Sequence, residues 1–156
     1  MKKLTSIILI LFLSSISSPS WSETLTMDDL VIRNDLYYKK FTNVPFTGEV
    51  SGVVSGSFKN GKKDGEWVSY HDNGQLDYTG IYKDGTKDGL WEVYWENGQL
   101  KSKEFLKNGK KEGTYELYFD NGQLRYIENN KNGIIEGSVE NYFKNGQLKT
   151  IETFKK

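Results

Sequence analysis

Catalysis needs groups that bind metals, move protons or attack bonds, and this chain offers few of them. It has one histidine, His71, and no cysteine in 156 residues. That removes thiol nucleophiles, disulfides and Cys-ligated zinc or iron–sulfur sites, and it leaves no His pair for a metal. General acid–base work would fall to carboxylates or tyrosine. The most regular carboxylates are Asp64, Asp88, Glu112 and Glu136, one every 24 residues. If two strands make one repeat, neighbours in that series stand about 10 Å apart. A retaining glycosidase wants its pair at about 5 Å and an inverting one at roughly 6.5–9.5 Å, in unlike environments. A ladder of like sites supplies neither. Each acid also precedes a glycine, where a short carboxylate serves the backbone hydrogen bonds of a turn. The sequence shows no phosphate-cradling glycine loop, nucleophile elbow, EF-hand spacing or Ser/His/Asp set. It reads as a chain that is not an enzyme and has no catalytic residue, cofactor or metal.

The same spacing defines what must position these side chains. Asn73-Gly74-Gln75-Leu76 recurs at Asn97, Asn121 and Asn145 with an unbroken period of 24 residues. Asp64-Gly65, Asp88-Gly89, Glu112-Gly113 and Glu136-Gly137 keep the step, and so do Asn60-Gly61, Asp84-Gly85, Asn108-Gly109 and Asn132-Gly133. These columns hold 12 of the 16 glycines. Asn-Gly and Asp-Gly are strong hairpin signals, because glycine reaches positive φ without strain. The glycines are therefore read as turns, with Gly65, Gly74, Gly89, Gly98, Gly113, Gly122, Gly137 and Gly146 as structural turn residues.

Between the turns lie Glu66–His71, Leu90–Trp95 and Thr114–Phe119, rich in aromatic and β-branched residues and free of proline. Each is predicted to be a first strand, with Gln75–Tyr82, Gln99–Leu106 and Gln123–Asn130 as the second. Turn signals recur too closely for helices. The fold class is all-β: an elongated antiparallel meander of 24-residue β-hairpins, in which each unit touches mainly its neighbours. Alternation places Trp67/Trp91/Tyr115/Val139 and His71/Trp95/Phe119/Phe143 on one face. Tyr70/Tyr94/Tyr118/Tyr142, with Val68/Glu92/Glu116/Glu140, take the other. The aromatic stripe packs the sheet and leaves part of itself open for docking, with Trp67, Trp91, Trp95, Tyr115 and Phe119 as candidate partner-binding residues. His71 is read as a packing residue in that stripe.

Residues 1–22 carry Lys2 and Lys3, an apolar Leu4–Ile16 and Ser20-Trp21-Ser22, the layout of a signal peptide cleaved before Glu23. Its loss takes the 21 basic residues to 19 against 21 acidic ones. Charges of both signs are interleaved, which gives no footprint for nucleic acid and disfavours, without forbidding, contact with anionic membranes. The mature chain is expected in the periplasm or secreted. Residues 23–55 depart from the repeat and read as an N-terminal cap. There Thr26-Met27-Asp28-Asp29 starts a helical turn, and Leu36–Lys40 forms a hairpin with Pro45–Val50. Residues 56–156 form an array of about four repeats, closed by a last strand that ends in Lys155-Lys156.

The unit Asp/Glu-Gly-x-Trp/Tyr-x-x-x-Tyr-aromatic-x-Asn-Gly-Gln-Leu, followed by aromatic-Lys-Asn/Asp-Gly-Lys-Lys, resembles the MORN-repeat variant of bacterial YwqK-like antitoxin proteins. The resemblance covers roughly residues 56–156, and the stretch 37–50 is similar to the leader that precedes such arrays. It implies a β-hairpin array for protein–protein contact, with a toxin as the partner to be neutralised. In the broader MORN group it implies membrane tethering and scaffolding. The alternative it leaves is an envelope-associated scaffold touching lipid or cell wall. No catalytic residue comes with the motif.

Overall fold

The computed structural model describes residues 24–154. The leader read at 1–22 and the closing Lys155-Lys156 lie outside the described residues. A short 3-10 turn, Met27–Asp29, precedes β1 (Leu30–Arg33), β2 (Leu36–Lys39), β3 (Gly48–Val50) and β4 (Val54–Lys59). The repeats supply β5 (Lys62–Tyr70), β6 (Leu76–Lys83), β7 (Thr86–Tyr94), β8 (Leu100–Lys107), β9 (Lys110–Tyr118), β10 (Leu124–Lys131), β11 (Ile134–Tyr142) and β12 (Leu148–Phe154). Strands β3 to β12 form one sheet in sequence order, every neighbouring pair antiparallel, and β1–β2 is a separate two-stranded ribbon. This is the predicted meander.

The first strand of each repeat starts four residues earlier than predicted, because of the two glycine columns before it only Gly61 and its equivalents make a turn. Asn60-Gly61 has φ of 51° and 77°, and Asp84-Gly85, Asn108-Gly109 and Asn132-Gly133 repeat that geometry. Two consecutive positive φ values define the two-residue type I′ hairpin that suits the twist of the flanking strands. Gly65, Gly89, Gly113 and Gly137, expected in turns, lie inside β5, β7, β9 and β11. They sit at bulges: between Gly56↔Trp67 and Phe58↔Lys63, Ser57 of β4 faces three residues of β5. Gly65 supplies the φ of 97° that lets the strand absorb its surplus. Gly74, Gly98, Gly122 and Gly146 do occupy turns, the loops joining the two strands of each repeat.

Both kinds of turn bond to the next repeat. Asp84 N donates to Asp64 Oδ2 at 3.1 Å, Asn108 N to Asp88 Oδ1 at 2.9 Å and Asn132 N to Glu112 Oε2 at 2.8 Å. The ladder of acids thus receives the backbone of the following hairpin, 20 residues on, rather than its own turn. At the other end, Asn73 Nδ2 donates to Glu96 O at 2.7 Å, Asn97 Nδ2 to Asp120 O at 2.6 Å and Asn121 Nδ2 to Lys144 O at 2.9 Å. His71 Nε2 lies 3.0 Å from Tyr94 O, and Trp95 Nε1 donates to Tyr118 O at 3.3 Å. Each of the first three repeats therefore carries its own connectors to the next.

The N-terminal segment closes the β3 edge. The 3-10 turn forms where predicted, and the Asp29 carboxylate accepts from the Thr26 amide (2.8 Å) and hydroxyl (3.0 Å). These bonds hold its pKa below the usual value. The predicted pairing of Leu36–Lys40 with Pro45–Val50 is present only as an antiparallel bridge, Tyr38 to Pro45, with Phe46 N donating to Tyr37 O at 2.8 Å. β2 pairs with β1 through Asn34-Asp35, both at positive φ, while β3 joins the main sheet against β4. That placement buries Val50 in one cluster with Leu25, Leu30, Phe58 and Trp67, against which Tyr37 and Phe46 pack. Leu25 pairs with Val50 in a parallel bridge, and Tyr37 N donates to Gly61 O at 2.8 Å, pinning the cap to the first hairpin turn.

Candidate binding surface

Side chains alternate along a strand, so the sheet has two faces. On the face that carries Trp67 the tryptophans are buried, while Lys63, Tyr78, Tyr82 and Lys87 stay half-exposed. Trp67 is 0% and Trp91 3% exposed. Each indole lies across a glycine of a neighbouring strand: Gly56 and Gly80 pair with Trp67, and Gly80 also with Trp91. Tyr82 stands edge-on to both, with ring centroids at 5.9 and 5.0 Å. The expectation that Trp67 and Trp91 dock a partner is corrected, because their rings are the packing of the sheet itself.

Further along this face the filling becomes polar. Tyr115 is half-buried, with the Lys111 ammonium 3.3 Å from its ring centroid and Tyr126 at 6.1 Å. Glu128, only 5% exposed, accepts from Lys111 Nζ (3.1 Å), Asn130 Nδ2 (3.0 Å) and the Tyr126 hydroxyl. Burial pushes the Glu128 pKa up, but the bonds from Tyr126, Asn130 and Lys111 outweigh it and hold it below the usual carboxylate value. Nothing in the sequence marked this residue as interior, since its column also holds Gly80 and Glu104.

Trp95 and Phe119 leave the strands and sit in the loops, half-buried. Lys101 covers the Trp95 ring at 4.4 Å, and Arg125 lies 5.7 Å from Phe119. His71, Trp95, Lys101 and Asp120 line a groove of about 430 Å³. The predicted stripe therefore splits into an inner-face set (Trp67, Trp91, Tyr115) and a loop set (Trp95, Phe119).

On the opposite face, Tyr94 donates to Glu92 Oε2 at 3.1 Å, Tyr118 to Glu116 Oε2 at 2.7 Å, and Tyr142 to Glu140. Burial first, then the bond to Glu116, pushes Tyr118 up to about 12, and the same causes involving Glu128 push Tyr126 to about 12. A phenol whose pKa is raised on folding contributes stability that is complete below its unfolded value near 10. That stability is lost as pH rises toward 12. The melting temperature is expected to fall between pH 10 and 12, while tyrosinate absorbance at 295 nm lags behind that of a denatured sample.

The same face carries a feature absent from the sequence expectations. Leu90 pairs with Phe105 across β7–β8, and Ile81 comes within 3.5 Å of where a Gly89 side chain would start. Ile81, Leu90 and Phe105 are 42%, 41% and 48% exposed. In the next repeat the pair corresponding to Leu90 and Phe105 is Thr114 and Asn129, so the apolar cluster is local to the middle of the array. The only hint in the sequence was apolar residues at outward positions of one repeat.

The MORN repeat variant model matches residues 63–84, 87–108, 111–132 and 135–156. The chain belongs to the MORN repeat variant family. MORN repeats generally bind proteins or membranes and are not known as enzymes. No relative is found among curated proteins. One similar solved structure is that of accessory secretory protein 1, 2 and 3 in Streptococcus pneumoniae, with 20% identity over 76% of this chain and a TM-score of 0.35. The chain spans about a fifth of that protein, 21% of its length. Among the described residues of this MORN array, no group of three metal-ligating side chains occurs, and no helix is long and apolar enough to cross a membrane.

Proposed function

We propose that the chain is an exported, non-enzymatic binding protein that holds a protein partner on the outer face of its repeats, in the manner of an antitoxin or immunity protein. The observation that carries this reading is the exposed Ile81, Leu90 and Phe105 cluster, ringed by the Glu92–Lys103 pair (3.6 Å) and the tyrosine–glutamate pairs. Apolar centres with polar rims are how protein interfaces are built. The cancelled formal charge favours a protein over an anionic membrane. Finishing the burial of each of the three side chains is worth on the order of 1 kcal/mol.

The test is affinity capture from the native envelope fraction with the mature chain and the variant Leu90→Thr/Phe105→Asn. That variant copies the Thr114–Asn129 pair, which the sheet already tolerates. The expected result is one protein captured stoichiometrically by the parent and at least tenfold less by the variant, with both melting alike. Equal capture by the two contradicts the reading.

A further inference from the structure

On the inner face, repeats one and two carry hydrogen-bond donors that lack acceptors among the described residues. Lys63 Nζ lies 3.9 Å from the Trp67 ring centroid and 5.1 Å from that of Tyr82; Lys87 Nζ lies 4.0 Å from Trp91. The equivalent Lys111 is paired with Glu128, which stands one repeat on from Glu104 and two from Gly80. Gly80 gives Lys63 no carboxylate, and Glu104 does not close a pair with Lys87. Neither ammonium has a carboxylate oxygen within 4.0 Å among the described residues. None of the hydroxyls of Tyr37, Tyr78 and Tyr82 is hydrogen-bonded among the described residues, and burial first, then neighbouring groups, pushes the Tyr78 and Tyr82 pKa values up. Burial, then Lys87, pulls the Lys63 pKa below the ordinary ammonium value. Glu104, beyond Trp91, ends this donor-rich stretch.

We propose that Lys63, Lys87, Tyr78 and Tyr82 form a binding site for an acidic, extended protein segment whose carboxylates take the two ammonium groups and the phenols. Equivalent positions in successive repeats are two strands, about 10 Å, apart. One small anion cannot bridge that gap. An extended chain in the polyproline conformation advances about 3.1 Å per residue, so acids three residues apart match the spacing of the lysines. The site lies on the face opposite Leu90 and Phe105, so its fate and that of the outer-face reading are independent.

The test uses the full chain and a fluorescein-labelled peptide of repeated Glu-Pro-Pro, read by anisotropy, with a Gln-Pro-Pro peptide, inorganic phosphate and phosphatidylglycerol vesicles as comparison arms. The acidic peptide is expected to bind, and the amide peptide and phosphate not to. Lys63→Met/Lys87→Met, which keeps the side-chain stems over the indoles, is expected to weaken binding at least tenfold, while Lys107→Met on the exposed rim changes it less than twofold. Lys63→Arg/Lys87→Arg, which keeps the charges, is expected to retain binding and serves as the readout if the methionine variant fails to fold. No binding of the acidic peptide, equal binding of the amide peptide, indifference to the methionine pair, loss of binding in the arginine pair, or binding of vesicles alone would each overturn the proposal.

Discussion

Trp67→Ala is expected to lower the unfolding free energy by about 3–5 kcal/mol, the range for emptying a buried tryptophan site. The ring is fully buried, stands edge-on to Phe58 at 5.0 Å and carries the Lys63 ammonium on its face. It also joins the capped end of the sheet to the repeats, since Gly56 of β4 and Gly80 of β6 pair with it from either side. Loss of the ring leaves a cavity beside Gly56 and Gly80, which have no side chains to move into it. Urea denaturation checks this, with Trp95→Ala as the comparison. Trp95 is half-buried in a loop and bonded through Nε1 to Tyr118 O, so its removal should cost roughly 1–2 kcal/mol. Equal costs would mean that the aromatic column does not hold the sheet.

Gly80→Ala is expected to be nearly as damaging, for the opposite reason. A Cβ on Gly80 would stand 2.3 Å from both Cδ2 and Cε2 of Trp91, and one on Gly56 would stand 2.4 Å from the same atoms of Trp67. Neither indole can retreat, because Tyr82 is packed edge-on against both. Overpacking of this kind costs about 1–3 kcal/mol, and the ring overlap places Gly80→Ala at the top of that range. The chain contains its own control. Where the paired residue is Tyr115 or Val139 instead of tryptophan, Glu104 and Glu128 occupy the glycine column. In a double-mutant cycle, Gly80→Ala should cost less than half as much when Trp91 is already tyrosine. A cost unchanged by Trp91→Tyr would show that backbone entropy, not the indole, requires the glycine.

The repeat was legible because period, turn chemistry and alternation all agreed. Asn-Gly at fixed spacing left little freedom for any fold but a meander, and the positive φ at Asn60, Asp84, Asn108 and Asn132 is what those residues tolerate best. Asp64-Gly65 has the same composition as a turn yet forms a bulge. The deciding factor is tertiary, because the Asp64 carboxylate receives Asp84 N from the neighbouring hairpin and no local pattern records that partner. The binding surface was misread for a related reason. Alternation sorts residues by face but does not say which face a single-layer sheet fills, so the large aromatics at Trp67 and Trp91 looked available. The register supplied the missing fact by setting each of them against a glycine. Gly56 and Gly80, outside the three glycine columns, were the residues that could have shown it. Lys63, Lys87 and Lys111 carry no signal of their own in the sequence, and only their positions over aromatic rings distinguish them.

The most direct test of buried inner-face tryptophans and a binding outer face is hydroxyl-radical footprinting of the chain, free and with its captured protein. In the free protein, oxidation should be high at Leu90 and Phe105 and near background at Trp67 and Trp91. On complex formation, protection should appear at Ile81, Leu90 and Phe105, with no change at the two tryptophans. Strong labelling of Trp67 and Trp91 in the free chain that disappears on binding, with Leu90 and Phe105 unchanged, would contradict it.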